Sequence, residues 1–344
     1  MIGKGNIRNT TQFVFLTYLA RSGSTLLSKK LSQFSNFGVG IEEDIEDNIS
    51  KGCFKLQNEV DLDKYLDRIF LEVKFKNWNL NKVNLRTRLI DNYKFPLTYY
   101  EVLTEIFNLY FAGETKEVYI HKKGNYYLYW REVLKTFPNS KFIFIYRDPR
   151  AIFNSQNKNK NSQNKIMQKS IYTFAYSYKL AHRLLCRLNK SKNKLLVFKY
   201  EDLVINEENI IRLIVDFLDV KNVIKSENND YYRRIPQKQL HLHNNVQLDY
   251  NDNKRINAWK SELSNKEIFI LEKLLKNEMI HLDYQFQNIS INNLTIFERP
   301  ILLIRLFYHK SLNSLKLFLR LYLKIHKLKK ITSLPHCIDR IHFN

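Results

Sequence analysis

Two short segments of this 344-residue chain carry residue types suited to holding a phosphate group. The first is a Gly- and Ser-rich turn between an apolar run and a helical pattern, a geometry that aims backbone N–H groups at an anion. Against the nucleotide-binding pattern GxxxxGK[ST], Gly23 and Thr25 fit, whereas Tyr18 replaces the first glycine and Ser24 replaces the lysine. That lysine serves a triphosphate. Its absence predicts a shorter anion, with Arg21 as the charged fork; an ordinary Ser-rich helix cap is the alternative.

The second segment, Tyr146–Ser155, also follows an apolar run. Arg147 stands at the carboxyl end of that run, and Pro149 suits the first turn of a helix. Ser155 lies just over two helical turns after Arg147, so both side chains can face one phosphate. The alternative is an ordinary ion pair between Arg147 and a carboxylate of the helix.

The elements that must position these residues follow from the apolar runs. Four β-branched or aromatic runs predict buried strands, and helical patterns lie between them. Strands that alternate with helices imply a parallel sheet covered on both faces, whose ligands bind at the carboxyl ends of the strands. We therefore expect an α/β, P-loop-like fold. The predicted strands are Phe13–Tyr18, Val118–His121, Phe142–Tyr146 and Leu195–Tyr200, and the predicted helices are Leu26–Phe34, Tyr126–Phe137, Ser170–Asn189, Asn206–Leu218 and Lys266–Ile280.

The remaining segments predict the domain organisation. One catalytic domain is expected over residues 1–290, with a helical cap over 61–110. Residues 291–344 form a C-terminal extension whose stretch Arg299–Lys330 is basic, rich in leucine and free of acidic residues. A helix of this kind can dock on the catalytic domain, lie on an anionic membrane or guide an anionic glycan.

The composition limits the possible partners and compartments. Lys and Arg number 56 against 34 Asp and Glu, a net charge of +22 that attracts anionic partners. Three widely spaced cysteines, with no CxxC pair, argue against a disulfide framework and a zinc site and favour a reducing, cytoplasmic location. No apolar run reaches the length of a membrane span.

Taken together, the two segments resemble the sulfotransferases that use 3′-phosphoadenosine 5′-phosphosulfate (PAPS), in the branch of tyrosylprotein and bacterial carbohydrate sulfotransferases. The resemblance covers about Gln12–Phe286. It implies that the loop cradles the 5′-phosphosulfate, that Arg147 and Ser155 bind the 3′-phosphate, and that the Tyr of a YEDL segment lies near the adenine. A late basic-x-x-x-Trp segment also matches. The implied cofactor-binding residues are Arg21, Ser22, Gly23, Ser24, Thr25, Leu26, Arg147, Ser155, Tyr200 and Arg255.

The same resemblance implies the catalytic residues. In that branch a Glu follows the loop Arg by 21 positions, which is Glu42 here, with Glu43 as the adjacent alternative. A Lys at the end of the second strand corresponds to Lys122 or Lys123, and the position favours Lys122. The usual proline after this lysine is missing. His121 is a further candidate for the base, since many sulfotransferases use histidine.

The sequence thus predicts a metal-independent enzyme in which Glu42 takes the acceptor proton and Arg21 and Lys122 stabilise the leaving phosphate. The expected acceptor is a hydroxyl of a carbohydrate or glycolipid. Two other functions stay open, a nucleotide kinase or NTPase and a non-enzymatic protein that binds anions or membranes. A kinase or NTPase would need the missing lysine. A non-enzymatic anion-binding protein would show binding that depends steeply on salt and is not specific for a nucleotide. No specific nucleic acid is expected.

Overall fold

The computed structural model describes residues 12–45, 54–114, 116–159, 165–168, 170–191, 193–225, 254–290 and 298–322. It divides into two units. One comprises residues 1–169 and 181–262, and the other comprises residues 170–180 and 263–344. The candidate residues predicted from the sequence all belong to the first unit.

The first unit is built on a five-stranded sheet in which every neighbouring pair is parallel. Its strands are β1 (Gln12–Tyr18), β2 (Phe37–Val39), β5 (Val118–Lys122), β6 (Lys141–Tyr146) and β7 (Leu195–Lys199), in the order β2-β5-β1-β6-β7. The central strand β1 is apolar on both faces and buried from Phe13 to Tyr18, as expected for a parallel sheet covered by helices. The predicted α/β fold is confirmed.

All four predicted strands are present, within two residues at each end, but β2 was not predicted. It has only three residues, and Gly38 interrupts its apolar pattern. Close packing explains the glycine, because a Cβ at position 38 would lie 2.7 Å from the Tyr119 ring. Tyr200 begins the helix after β7 and does not end the strand.

The helices of the first unit follow the predicted alternation. The stretch predicted as one helix over Tyr126–Phe137 is a 3₁₀ turn, Tyr126–Leu128, followed by a short helix. The helices are α1 (Ser24–Leu31), α2 (Glu59–Leu71), α3 (Lys82–Asn92), α4 (Tyr99–Tyr110), α5 (Trp130–Thr136), α6 (Pro149–Lys158), α7 (Ile171–Leu188, which begins in the second unit), α8 (Tyr200–Ile205), α9 (Glu207–Leu218), α10 (Lys254–Asn257) and α11 (Trp259–Glu262).

The predicted cap segment, residues 61–110, contains most of α2, all of α3 and α4, and a 3₁₀ turn over Phe75–Trp78. Its short strand β4 (Leu97–Thr98) pairs antiparallel with β3 (Lys55–Leu56), which precedes the segment. Phe75 and Trp78 are buried, and the Trp78 ring packs 5.2 Å from that of Phe107 on α4. This packing fixes the 3₁₀ turn that begins directly after Lys74.

Within the described residues, the second unit contains three further helices: α12 (Asn265–Leu274), α13 (Lys276–His281) and α14 (Glu298–Tyr322). Helix α14 packs against α12, and the His309 ring stacks on Tyr172 at 3.8 Å. Among the described helices, none is both long enough and apolar enough to cross a bilayer. The predicted boundary after residue 290 stays a prediction.

Candidate active site

The turn from β1 to α1 combines an unusual backbone with the N-terminus of a helix. Arg21 and Gly23 both have positive φ angles, 73° and 99°. Gly23 caps α1, whose first N–H groups have no partner within the helix. The Tyr200 ring closes the other side of the turn, because a Cβ on Gly23 would lie 2.2 Å from its Cδ2. Both the backbone angle and the space therefore require glycine.

A buried hydroxyl lies in the same turn. The Ser22 Oγ is inaccessible to solvent and makes no hydrogen bond among the described residues. Buried hydroxyls normally have a partner. Ser24 and Thr25 begin α1 beside it and are buried, whereas Leu26 is half-buried against the core. The turn thus offers a ligand one side-chain hydroxyl in addition to backbone donors.

Arg147 links the turn to the other predicted cofactor residues. It follows β6, and its Nη1 donates to the Arg21 carbonyl at 2.9 Å, while its Nη2 donates to the Arg255 carbonyl at 3.1 Å. Its guanidinium lies 4.4 Å from the centre of the Tyr200 ring. Arg21 Nε in turn donates to Ser155 Oγ at 3.0 Å.

These arginines make the site strongly positive. Burial and the charges of Arg147 and Arg255 lower the pKa of Arg21 to about 10. A lowered pKa means that the surroundings disfavour the charged form of the guanidinium, and a bound anion would relieve this. The cluster therefore favours a phosphate-bearing ligand.

The helix that carries Ser155 is held firmly. Its cap residue Asp148 accepts from the Arg150 backbone N–H at 2.8 Å and from the Arg150 side chain at 3.0 and 2.6 Å. The Arg150 guanidinium stacks 3.8 Å from the Trp259 ring, which ties the segment of Arg255 to α6. Gln156 Nε2 donates to the Ala20 carbonyl at 2.7 Å. This hydrogen bond joins α6 to the turn after β1.

Two neighbouring lysines at the end of β5 point in different directions. Lys122 Nζ donates to Thr25 Oγ1 at 3.0 Å and so lies at the start of α1. Lys123 Nζ donates to the Glu43 carbonyl at 2.7 Å and pairs with Asp44. Of the two, Lys122 is the one beside the turn that precedes α1.

Glu42 lies in the segment after β2, and its side chain is 35% exposed. Its Oε1 accepts from Lys74 Nζ at 3.0 Å. Burial opposes the charge, but Lys74 and Lys122, with hydrogen bonds from Lys74 and Tyr18, outweigh it and lower the pKa of Glu42 below its usual value. This carboxylate is ionised, partly open to solvent and close to Lys122 at the end of β5.

The adjacent Glu43 is fully buried. Its carboxylate contacts His121 Nε2 and the Ile45 backbone N–H, and the Tyr126 hydroxyl lies 2.7 Å from His121 Nδ1. Glu43 and His121, the two alternative bases, therefore bind each other away from solvent. Their arrangement joins β5 to the segment after β2.

The structure thus brings the predicted residues to one edge of the sheet, but sequence reasoning missed two groups. Lys74 gave no signal, since nothing in the cap sequence distinguishes it from the many other lysines. The buried group of Glu43, His121 and Tyr126 could have been suspected, because a histidine at a buried strand end needs a polar partner.

Comparisons with known proteins match the chain to one family model and to solved structures of similar fold. The family model described as "Sulfotransferase family" matches residues 14–223. The sulfotransferase domain of the curacin biosynthetic pathway is 17% identical and superposes with a TM-score of 0.52; the match covers 80% of this chain and 99% of that domain. The sulfotransferase domain of the Synechococcus PCC 7002 olefin synthase is 17% identical and has a TM-score of 0.46; that match covers 74% of this chain and 88% of the other. No curated protein sequence matches the chain significantly.

Proposed function

The chain belongs to the sulfotransferase family, and from this premise we propose that it transfers the sulfuryl group of PAPS to a hydroxyl of a carbohydrate or glycolipid. The observation that carries the proposal is the arginine cluster around the turn after β1. Arg147 contacts the Arg21 and Arg255 carbonyls, and Arg21 contacts Ser155. The family argues against a kinase or a protein that only binds anions.

The residues of the turn fit the anionic donor. The unsatisfied Ser22 hydroxyl and the N–H groups at the start of α1 suit the 5′-phosphosulfate. Arg147 and Ser155 would hold the 3′-phosphate, and Tyr200 would lie near the adenine. Arg255, through its segment tied to Trp259, would complete the pocket.

The chemistry needs a proton acceptor and cations. PAPS, when bound, supplies an activated sulfuryl group on a phosphate. Glu42 accepts the proton of the acceptor hydroxyl as that oxygen bonds to sulfur. Arg21 and Lys122 stabilise the negative charge that grows on the phosphate as the sulfur–oxygen bond to it breaks. These roles require no metal ion from the protein.

The proposed 3′-phosphate site should make the protein selective among nucleotides. We expect adenosine 3′,5′-bisphosphate (PAP) to stabilise the protein in a thermal-shift assay more than ADP or ATP, because Arg147 and Ser155 have no 3′-phosphate to bind in those nucleotides. At 100 times the dissociation constant, PAP should add about 2.7 kcal/mol to the free energy of unfolding.

Arg147→Ala should weaken PAP binding by roughly 1.5–3 kcal/mol, the value of a charge-assisted contact. Arg86→Ala is the matched control, since Arg86 pairs with Asp63 on the cap surface. Equal stabilisation of wild-type protein by ADP and PAP would refute the proposed donor.

The C-terminal helix supports a second proposal, peripheral contact with anionic lipid. The α14 residues Leu302, Leu306 and Leu317 are buried, whereas the residues on its outward side are exposed, among them Ile301, Ile304, Phe307 and Leu315. Exposed Arg305 and Lys310 and half-buried Lys316 border this apolar face. An apolar face edged by cations complements the interface of a negatively charged membrane, and it fits the predicted cytoplasmic location.

We expect the protein to sediment with vesicles that contain phosphatidylglycerol and to bind far less to pure phosphatidylcholine. The double variant Ile304→Ser, Phe307→Ser should lose this binding, because it removes apolar area without changing charge. Val60→Ser, Leu71→Ser, on the cap, is the matched control, since both side chains are also exposed. Equal binding by the α14 variant, or a dimer in sedimentation that this variant abolishes, would contradict membrane contact.

A further inference from the structure

Lys74 links the cap to the segment that carries the proposed base. Its Nζ lies 3.0 Å from Glu42 Oε1 and 2.9 Å from Asp44 Oδ2. The side chain is only 26% exposed. One cation from the cap thus holds two carboxylates that are two residues apart in the segment after β2.

The backbone around Lys74 is fixed, so its ammonium group has a defined position. The Glu72 carboxylate accepts from the backbone N–H groups of Lys74, at 2.9 Å, and of Phe75, at 2.5 Å. Phe75 is buried in the core of the cap. Asp44, the second partner of Lys74, is also held by Lys123. Lys74 therefore lies between two anchored elements.

Glu42 has a competing cation nearby. Lys122 lies close enough to lower the pKa of Glu42, yet its Nζ donates to Thr25 Oγ1 at the start of α1. A direct ion pair between Glu42 and Lys122 would have two effects: the carboxylate would be less available to receive a proton, and the charge of the lysine would be compensated. The contact with Lys74 gives the carboxylate another partner.

We propose that Lys74 is a positioning residue for sulfuryl transfer: it holds the Glu42 carboxylate on the cap side, so that Glu42 can receive the acceptor proton while Lys122 keeps its charge for the leaving phosphate. This inference rests on the proposed function, in which Glu42 is the base. It assigns to the cap a part in catalysis.

The charged and titratable groups that face Glu42 set the expected effect of removing Lys74. They are Lys74 from the cap, Lys122 from the end of β5 and the Tyr18 hydroxyl from the end of β1. Without Lys74, burial still raises the pKa of Glu42 and one lowering charge is lost. The pKa of Glu42 should therefore rise, and the carboxylate should turn toward Lys122.

The test compares Lys74→Met with wild type by two measurements. The first is the titration of the Glu42 carboxyl by carbon-13 NMR, with Glu42→Gln identifying the signal. The second is the pH profile of kcat/KM for transfer from PAPS. We expect Lys74→Met to lose about 10- to 100-fold in kcat, as for other residues that orient a catalytic group. Its titration midpoint and the acidic limb of its profile should move to higher pH together.

Two further variants separate this role from a purely structural one. Lys74→Arg should restore most of the activity and the wild-type midpoint, because it keeps the charge. Lys82→Met, which removes an exposed cap lysine paired with Asp67, should leave kcat and the Glu42 titration unchanged.

The outcomes distinguish this inference from the proposed function. A wild-type midpoint in Lys74→Met, with normal kcat, would overturn the role of Lys74 and leave Glu42 as the base. A shifted midpoint with an unmoved acidic limb would show that Glu42 is not the base, and both statements would fall. Lost activity with neither shift would mean that Lys74 only stabilises the cap, which also overturns the inference.

Discussion

Glu42→Gln should lower turnover by about 10²–10⁴-fold, the usual effect of losing a positioned general base. Glutamine keeps the shape of the side chain but cannot take up the proton of an attacking hydroxyl. The affinity for PAP should stay nearly intact, because the described groups that face Glu42 are Lys74, Lys122 and Tyr18, and the proposed 3′-phosphate site is formed by Arg147 and Ser155. The measurement is transfer of labelled sulfate from PAPS to a panel of sugar, glycolipid and simple alcohol acceptors.

Glu43→Gln is the matched control for this change. Glu43 is fully buried against His121, so its substitution should lower the melting temperature while the folded protein turns over at a rate much closer to wild type. Near-normal turnover in Glu42→Gln would instead transfer the role of base to Glu43 or His121.

The pH dependence follows from the environment of Glu42. Although burial raises its pKa, Lys74 and Lys122 lower it further, to below the usual carboxyl value. The carboxylate is therefore deprotonated across the neutral range, and activity falls only as pH drops through the lowered pKa. The acidic limb of kcat/KM should lie below the usual carboxyl range in wild type.

Lys122→Met should lower turnover by about 10²–10³-fold, the range observed when one group that stabilises developing negative charge is removed. Methionine keeps much of the apolar stem but cannot stabilise the leaving phosphate. The effect should appear mainly in kcat, measured with the same acceptors, because the charge on that phosphate grows only during transfer.

Lys123→Met is the comparison for Lys122. Lys123 binds the Glu43 carbonyl and Asp44, so its loss should destabilise the segment after β2 more than it slows transfer. A larger loss of kcat in Lys123→Met than in Lys122→Met would reverse the assignment of the two lysines.

The sheet could be predicted because most of its strands are recognisable as short apolar runs in the sequence. Strands such as Phe142–Tyr146 are buried on both faces, so they read as continuous apolar runs with polar residues at their carboxyl ends. Because neighbouring strands of the sheet are parallel, their carboxyl ends lie at the same edge, and Arg21 and Arg147, which follow two of these ends, come close together there. Strand β2 was missed because Gly38 packs against the Tyr119 ring, a requirement set by a strand far along the chain.

The candidate base shows where sequence reasoning ends. The family resemblance favoured Glu42, with Glu43 as the adjacent alternative, but the sequence offered no physical reason for a difference between two adjacent carboxylates. Their difference comes from tertiary contacts, since His121 and the Ile45 N–H bind Glu43 inside the core while Lys74 binds Glu42 from the cap. Lys74 is 32 residues away from Glu42, and no local pattern connects them.

The arginine cluster also bears on how fast the nucleotide product can leave. In the proposed reaction, transfer removes the sulfuryl group but leaves both phosphates, so Arg21 and Arg147 would attract PAP for the same reason that they would attract the donor. Product dissociation can then limit the rate of each cycle. Because mobile ions screen such attraction, moderate salt would speed this departure even as it slows donor capture, and turnover would pass through a maximum at intermediate ionic strength.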